Sequence, residues 1–534
     1  MRYRTTTSSS RGRRAALATA LLGVFAAGCA SHARPAAAPV VVTVPQPPPA
    51  APVVVPAEAA RALRAGIVSL RVTGQDWNWR APWEKTPPWN RTVTGLVVPG
   101  HRILVASTAF GNHLLVEAQR LGSEERTPAR VALVDQEGPL ALVQVDDASF
   151  WEGLEPLPIA KKAPVEGTVT IHRWQRSGLL EAYPGSVRQV RTGRHGLSQT
   201  SLLTLEVQTG TEGLGESEVV VADGHVAGLI TGRSGDTFAA IASPVLSQFL
   251  EGAASGEWKG FARAGLSWED LTNPALREWL SLKPGETGVR LLRVAPNGSA
   301  GGVLKRGDVL LELGGSKLDA TGRYEHPLYG RMLFAEIFTD GRKPGDSLAA
   351  KVLRDGQRLE VTLPLRRMSP DAEKVPPYQF GRGPDYLIVG GLVFQELTRP
   401  YLGAYGDWTR RAPPRLLVAL DREAEEPDPK WPRLVLLSSV LPDPANLGYQ
   451  DLRDLMVVSV NGRHIGSLDN LREALARPPG PFHVIELLPG QVARRVVVGV
   501  EDAKAAVARV QRAYGIERMD SAASEPSEAT PGAP

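Results

Sequence analysis

The pattern of apolar residues points to a mainly β chain built of several bodies. Between residues 60 and 252 the apolar side chains come in runs of four to eight, separated by Gly, Pro and charged clusters. That is the length and spacing of strands in a barrel or sandwich. Strand-like runs do not alternate with helical periodicity there, so a parallel αβ sheet is not expected. The second half also repeats itself. An apolar run, a Pro-bearing turn and a second apolar run closed by a small polar turn occur over 288–315 and again over 434–462, the mark of a duplicated body.

The 534 residues suggest about three to five domains at roughly 100–200 residues each. Hydrophobic residues make up 43% and charged residues 22%, ordinary for a chain that buries cores and too polar for a multi-span membrane protein. The formal charge of +4 is local in origin. Without the five arginines of residues 1–28, 56 basic side chains face 57 acidic ones. No nucleic-acid partner is expected from that balance.

Residues 1–28 have a basic start, an apolar stretch over 15–27 and small residues before Cys29, the parts of an export signal. Residues 29–58 are rich in Pro, Ala and Val, with three consecutive prolines at 47–49, and read as an extended tether. Residues 504–534 read as a helix followed by a Ser, Ala, Glu, Pro tail with nothing to bury, expected to be disordered. Cys29 is the only cysteine, so the exported bodies have no disulfide among themselves.

Cys29 after Ala26-Ala27-Gly28 resembles the lipobox of bacterial lipoproteins. The resemblance implies lipidation of Cys29, with more than one acyl chain for stable anchoring, at about 0.8 kcal/mol per buried methylene. It also implies a cell-envelope location facing the periplasm. Ala30 in place of Asp favours the outer membrane.

Over 60–252, the order of Thr94-Gly95-Leu96-Val97-Val98, Ile103-Leu104, Leu140-Ala141-Leu142-Val143 and Asp223-Gly224-His225-Val226-Ala227-Gly228 resembles the Do-like (HtrA) serine proteases. A trypsin-like double β-barrel is implied. The family's general-base His position falls on Thr108, whose hydroxyl cannot take a proton near neutral pH as imidazole does. The orienting Asp position falls on Pro139, which has no carboxylate. The nucleophile position, eight residues before Asp223, falls on Gly215. A rival register, in which Gly215-Glu216-Ser217 echoes Gly-Asp-Ser, makes Ser217 the nucleophile of a serine endopeptidase. There Glu218-Val219 stands where Gly-Gly shapes the oxyanion hole, and Ser217 lacks a base. His101, His113 and His225 lie outside the motif positions. The expectation is a pseudoprotease, because a triad works as a unit. The tryptophans 77, 79, 83 and 89 suggest either an aromatic plug over the first barrel or an exposed surface for a ligand or an oligomer.

Gly288 to Pro296 with Leu304-Lys305-Arg306-Gly307-Asp308 resembles a PDZ domain of the same family, and 434–462 resembles a second, divergent one. Expected spans are 258–368 and 378–503. PDZ domains add an extended peptide beside a strand, with backbone N–H groups at the terminal carboxylate. The resemblance places these at Ala264, Gly265 and Leu266, with Arg263 adding charge, and expects a groove helix over 331–338 bearing Met332 and Ala335. Gly390-Gly391-Leu392 is the corresponding loop of the second. The implied partners are peptides or unfolded exported proteins, with trimerisation or an active protease homologue as further partners. A third reading is a structural assembly subunit. No metal or cofactor motif is present.

Overall fold

The computed structural model describes residues 57–174, 179–211, 213–425 and 430–523. The signal at 1–28, Cys29, most of the tether and the tail beyond 523 lie outside them. Among the described residues no helix is long and apolar enough to cross a membrane.

Six strands close the first barrel: β1 (Ile67–Gly74), β2 (Trp89–Val98), β3 (Arg102–Ala106), β4 (His113–Gln119), β5 (Arg126–Asp135) and β6 (Leu140–Gln144), in the order β1-β2-β3-β6-β5-β4. Val68, Leu70, Val72, Ile103, Val105, Ala141 and Val143 fill it. These are alternate residues of their strands, as a period of two requires. A second barrel, of β7 (Thr168–Trp174), β8 (Leu180–His195), β9 (Thr200–Gln208), β10 (Val219–Ala222), β11 (His225–Ser234) and β12 (Thr237–Ala242), closes in the order β10-β11-β12-β9-β8-β7. Helix Ser243–Ala254 packs on it through Val245, Leu246 and Phe249.

The third body is a sheet of β13 (Leu266–Asp270), β14 (Val289–Val294), β15 (Val309–Leu313), β16 (Ser316–Lys317), β19 (Ser347–Arg354) and β20 (Gln357–Pro364), with a separate hairpin of β17 (Arg323–His326) and β18 (Gly330–Leu333). The fourth comprises β21 (Tyr386–Val389), β22 (Leu392–Glu396), β23 (Val435–Val440), β24 (Leu455–Val460), β25 (Arg463–His464), β26 (Phe482–Leu487) and β27 (Arg495–Gly499), with helix Leu468–Ala476. Helix Val500–Tyr514 belongs to this body as well. Its Ala506 and Val510, with Ile516, pack on Tyr386 and Ile388, so the body runs past the expected end at 503.

Two expectations are corrected. Residues 331–338 are not one helix: 330–333 form β18 and Phe334–Phe338 is a 3₁₀ turn. The hairpin is held against β8, with the Leu333 N–H donating to Thr192 Oγ1 at 3.3 Å, and that pairing pulls 330–333 into extended backbone. The tryptophan loop is not an open surface, and of its tryptophans Trp89 packs on the core of its own barrel while Trp79 and Trp83 pack on the fourth body. Trp83 meets Tyr386 edge-on with ring centroids 6.4 Å apart. Arg80 lies 3.7 Å over the Tyr405 ring and donates to Asp454 Oδ1 at 3.1 Å. The loop fastens the first barrel to the fourth body.

Candidate functional site

Three loops meet where the barrels join. Ala106 at the end of β3 pairs with Leu140 at the start of β6, and its N–H donates to Ser217 Oγ at 3.0 Å. Thr108, Pro139 and residues 215–217 are thereby gathered within a residue or two of one another in pairing terms.

Each of these positions is engaged within the fold. Thr108 opens a 3₁₀ turn capped by Ser107, whose Oγ accepts from the Ala109 N–H at 3.1 Å and donates to Glu216. Pro139 is buried. The Gly215 N–H donates to Glu218 Oε1 at 2.6 Å, so an internal carboxylate takes a loop N–H of the kind an oxyanion needs. Burial pushes the Glu218 carboxyl up to about 7, with Arg173 3.8 Å away.

Ser217, the rival nucleophile, is 0% exposed and has φ +69°. Its N–H donates to Ile230 O at 2.6 Å while its Oγ accepts from Ala106. A hydroxyl shut away from solvent and used as an acceptor inside the strand junction cannot meet a substrate carbonyl. Ser217 is a structural residue in this fold.

Among the described residues no imidazole bonds to Ser107, Thr108 or Ser217. His101 stacks on Trp151 at 5.1 Å. His113 Nδ1 is 2.8 Å from Phe110 O, and His225 Nδ1 is 2.9 Å from Asp223 O in its turn. His172 and His195 carry no motif and escape sequence reading. His195 sits between Thr204 Oγ1 at 2.6 Å and Thr231 Oγ1 at 3.0 Å. Burial holds both rings down to about 4, neutral inside the second barrel.

Sequence reading also missed Glu137, two residues before Pro139. It is 0% exposed, 3.6 Å from Arg367, and burial pushes its carboxyl up to about 7. Its loop is shaped by Asp135, which accepts from the Glu137 and Gly138 N–H groups and from Trp258 Nε1 at 2.8 Å. Glu137 therefore faces a guanidinium and not an imidazole.

One cluster of ligand-type side chains, His326, Glu336 and Asp340, occurs among the described residues. His326 Nδ1 accepts from the Leu328 and Tyr329 N–H groups, which puts the ring proton on Nε2, 3.6 Å from Asp340. Glu336 Oε2 accepts from the Tyr324 hydroxyl at 2.6 Å. With both ring nitrogens so engaged, this histidine is a poor metal ligand.

The third and fourth bodies share one hydrogen-bond plan. The Ala295 N–H donates to Gly265 O, and the Leu441 N–H to Gly391 O, each at 2.7 Å. Leu266 pairs with Val294 and Leu392 with Val440, and both ladders slip by one residue two positions on. In the third body, the Arg263, Ala264 and Gly265 carbonyls accept from Ser299, Ala300 and Ala295, and Gly265 has φ +70°. No acceptor bonds to the Ala264 or Gly265 N–H among the described residues, and β13 is the sheet's edge. Arg263 holds Glu373 at 3.1 Å and Ser198 O at 3.0 Å. Ala335 is partly exposed, but Met332 is 0% exposed. Met332 is therefore core and not groove lining, a correction that follows from the β17–β18 pairing.

In the fourth body the matching edge of β22 is occupied by the chain itself. β21 pairs along it from Val389 against Leu392 to Tyr386 against Gln395. Arg472 of helix Leu468–Ala476 fixes β21 through Asp385 and reaches Asp520, at 2.5 and 2.8 Å.

The family model for the PDZ domain matches residues 375–523. A mitochondrial Do-like relative from Arabidopsis thaliana is 27% identical over 395 residues, covering 73% of this chain and 68% of its own. Protease Do-like 2, chloroplastic, from the same plant is 25% identical over 468 residues, 85% of this chain and 74% of that protein. The chain is a homologue of the Do-like proteases. Among solved structures, the HtrA-type protease AlgW with decapeptide aligns with 58% of this chain and 99% of its own at TM-score 0.43 and 17% identity. The mainly β architecture is that of two closed six-stranded barrels followed by two sheet bodies, the second within the PDZ match.

Proposed function

We propose that this Do-like homologue is non-catalytic and holds extended or C-terminal segments of exported proteins on the edge of β13. One observation carries the reading: the family's three reaction positions converge on Ala106, yet they present Thr108, Pro139 and a loop whose N–H is bound by Glu218. Removing any one triad member already eliminates most of the rate. What remains is an open strand edge with a glycine loop at its start, the arrangement that accepts a peptide strand. In this reading Cys29 carries lipid, the Pro-rich tether spaces the body from the membrane, and the protein serves envelope quality control.

The test is a pair of measurements on the purified chain. A library of C-terminal peptides should bind, and Gly265→Glu should weaken binding by placing a carboxylate and a side chain in the loop, where a Cβ already comes within 2.9 Å of Gly298 Cα. Casein should not be cleaved. Absence of binding by every peptide, or turnover abolished by Ser217→Ala, would overturn the reading.

A further inference from the structure

A cavity of about 1270 Å³ opens beside the Gly265 loop. The end of β14, residues 371–377, helix Pro414–Glu425, Trp431–Arg433 and the 194–199 loop of the second barrel wall it. Its charge is one-sided. Arg194, Arg263, Arg293, Lys374, Arg399 and Arg433 line it against only Asp371 and Glu373. Both acids are engaged, Glu373 with Arg263 and Asp371 with Arg382.

Two of the arginines are left over. The Nε atoms of Arg293 and Arg399 are buried and bond to nothing in the described structure, and neither side chain pairs with a carboxylate among the described residues. Burial disfavours charge on Arg293 most, and Arg263 and Arg399 add to that against the opposing pull of the Glu373 carboxylate. Half-buried guanidinium groups that line one cleft without an ion-pair partner are costly to keep charged, and an anion between them offsets that cost. The chain already shows which anion suits the place, since its own Glu373 carboxylate sits on Arg263. Val294, Val375, Leu417 and Trp408 supply an apolar wall alongside, which a free inorganic anion would leave unused.

We propose that this cleft takes an acidic, apolar-flanked stretch of an extended peptide, with a carboxylate bound by Arg293 and Arg399. The inference rests on the peptide-holding reading and adds a substrate class to it: segments with Asp, Glu or a chain-terminal carboxylate next to aliphatic residues. Arginine suits that role because its planar fork matches a carboxylate bidentately.

The test uses the full chain and fluorescence anisotropy with four probes. These are a peptide with two Glu among Leu and Val, the same peptide amidated at its C-terminus, a version with Gln for each Glu and amidated, and inorganic phosphate as competitor. The acidic peptide should bind about tenfold or more tightly than the neutral one, and Arg293→Gln with Arg399→Gln should remove that difference. The amidated acidic peptide tells side-chain from terminal carboxylate as the source.

Unchanged affinity in the double variant, or complete displacement by phosphate, would overturn the inference. Loss of all binding in Gly265→Glu but none in the double variant would overturn it while leaving the peptide-holding reading intact. Neither arginine has an ion-pair partner within 4 Å among the described residues, and the contact to lose is Arg399 at 5.9 Å over the Trp408 ring, so the double variant should melt within a few degrees of the wild type. A larger drop in melting temperature would show them to be structural and overturn the proposal. Arg399→Lys, which keeps charge without the fork, should give intermediate affinity.

Discussion

The third and fourth bodies are built on one hydrogen-bond plan and differ in what lies on one strand edge. β13 ends its sheet, whereas β22 is covered by β21. The difference begins just before the glycine turn. In the third body the Arg263 N–H donates to Arg366 O and leads the chain away. In the fourth, Gly390 and Gly391, at φ +58° and +81°, fold Tyr386–Val389 back along Leu392–Glu396. An edge strand offers a row of unpaired backbone groups. One body has satisfied that row internally, and in the proposed function the other keeps it for a ligand.

The largest expected effects come from breaking the closed body. Phe394, 0% exposed, and Trp268, partly buried against Phe334 at 4.7 Å, occupy matching register positions. Phe394→Ala should destabilise by about 3–5 kcal/mol. Trp268→Ala should lower stability less and alter peptide affinity as well. Denaturant unfolding with peptide titration checks both.

Arg472→Ala removes a partly buried guanidinium shared by Asp385, Asp469 and Asp520. A loss of about 2–3 kcal/mol is expected. Hydrogen exchange should rise selectively at Ile388, whose N–H donates to Met519 O at 2.7 Å. Unchanged protection there would mean that β21 is held by other contacts.

The glycine turns sharpen the contrast. A Cβ on Gly391 would lie 2.4 Å from Leu441 O, while one on Gly265 meets Gly298 Cα at 2.9 Å. Gly391→Ala should lose about 1–3 kcal/mol from positive φ and the clash, and Gly265→Ala somewhat less, with its main effect on peptide affinity.

The smallest effect is on pH dependence. Glu137 and Glu218 titrate near 7 when folded, above the ordinary 4.5. The folded state then binds more protons than the unfolded state between about 4.5 and 7. Their contribution is full below that window and is lost as pH rises through about 7. His172 and His195, held down to about 4 from 6.5, contribute in the opposite sense and lose their part as pH falls. Glu218→Gln should therefore reduce the fall in stability between about pH 5 and 7, measured by thermal melts across that range.

Much of this was legible in the sequence because it rests on strand-length patterning. The barrels and the duplicated second half follow from runs whose alternation or full burial is local information. Met332 and the 331–338 segment are not legible in that way, because the hairpin of β18 with β17 is held by Thr192 of β8, 141 residues away from Leu333. The fate of the tryptophan loop is tertiary for the same reason, since Tyr386 and Asp454 lie roughly 300–370 residues further along the chain. The unpaired Arg293 and Arg399 carry no local signal; only the closing of the cleft brings them together.

The account stands most directly on whether any serine or threonine of the barrel pair is activated. Treating the purified chain with a fluorophosphonate probe and measuring intact mass decides it, because such probes phosphonylate, with loss of fluoride, hydroxyls activated by a base and an oxyanion site. No mass increase is expected, before or after addition of a binding peptide. A stoichiometric adduct that disappears in Ser217→Ala or Thr108→Ala would contradict it.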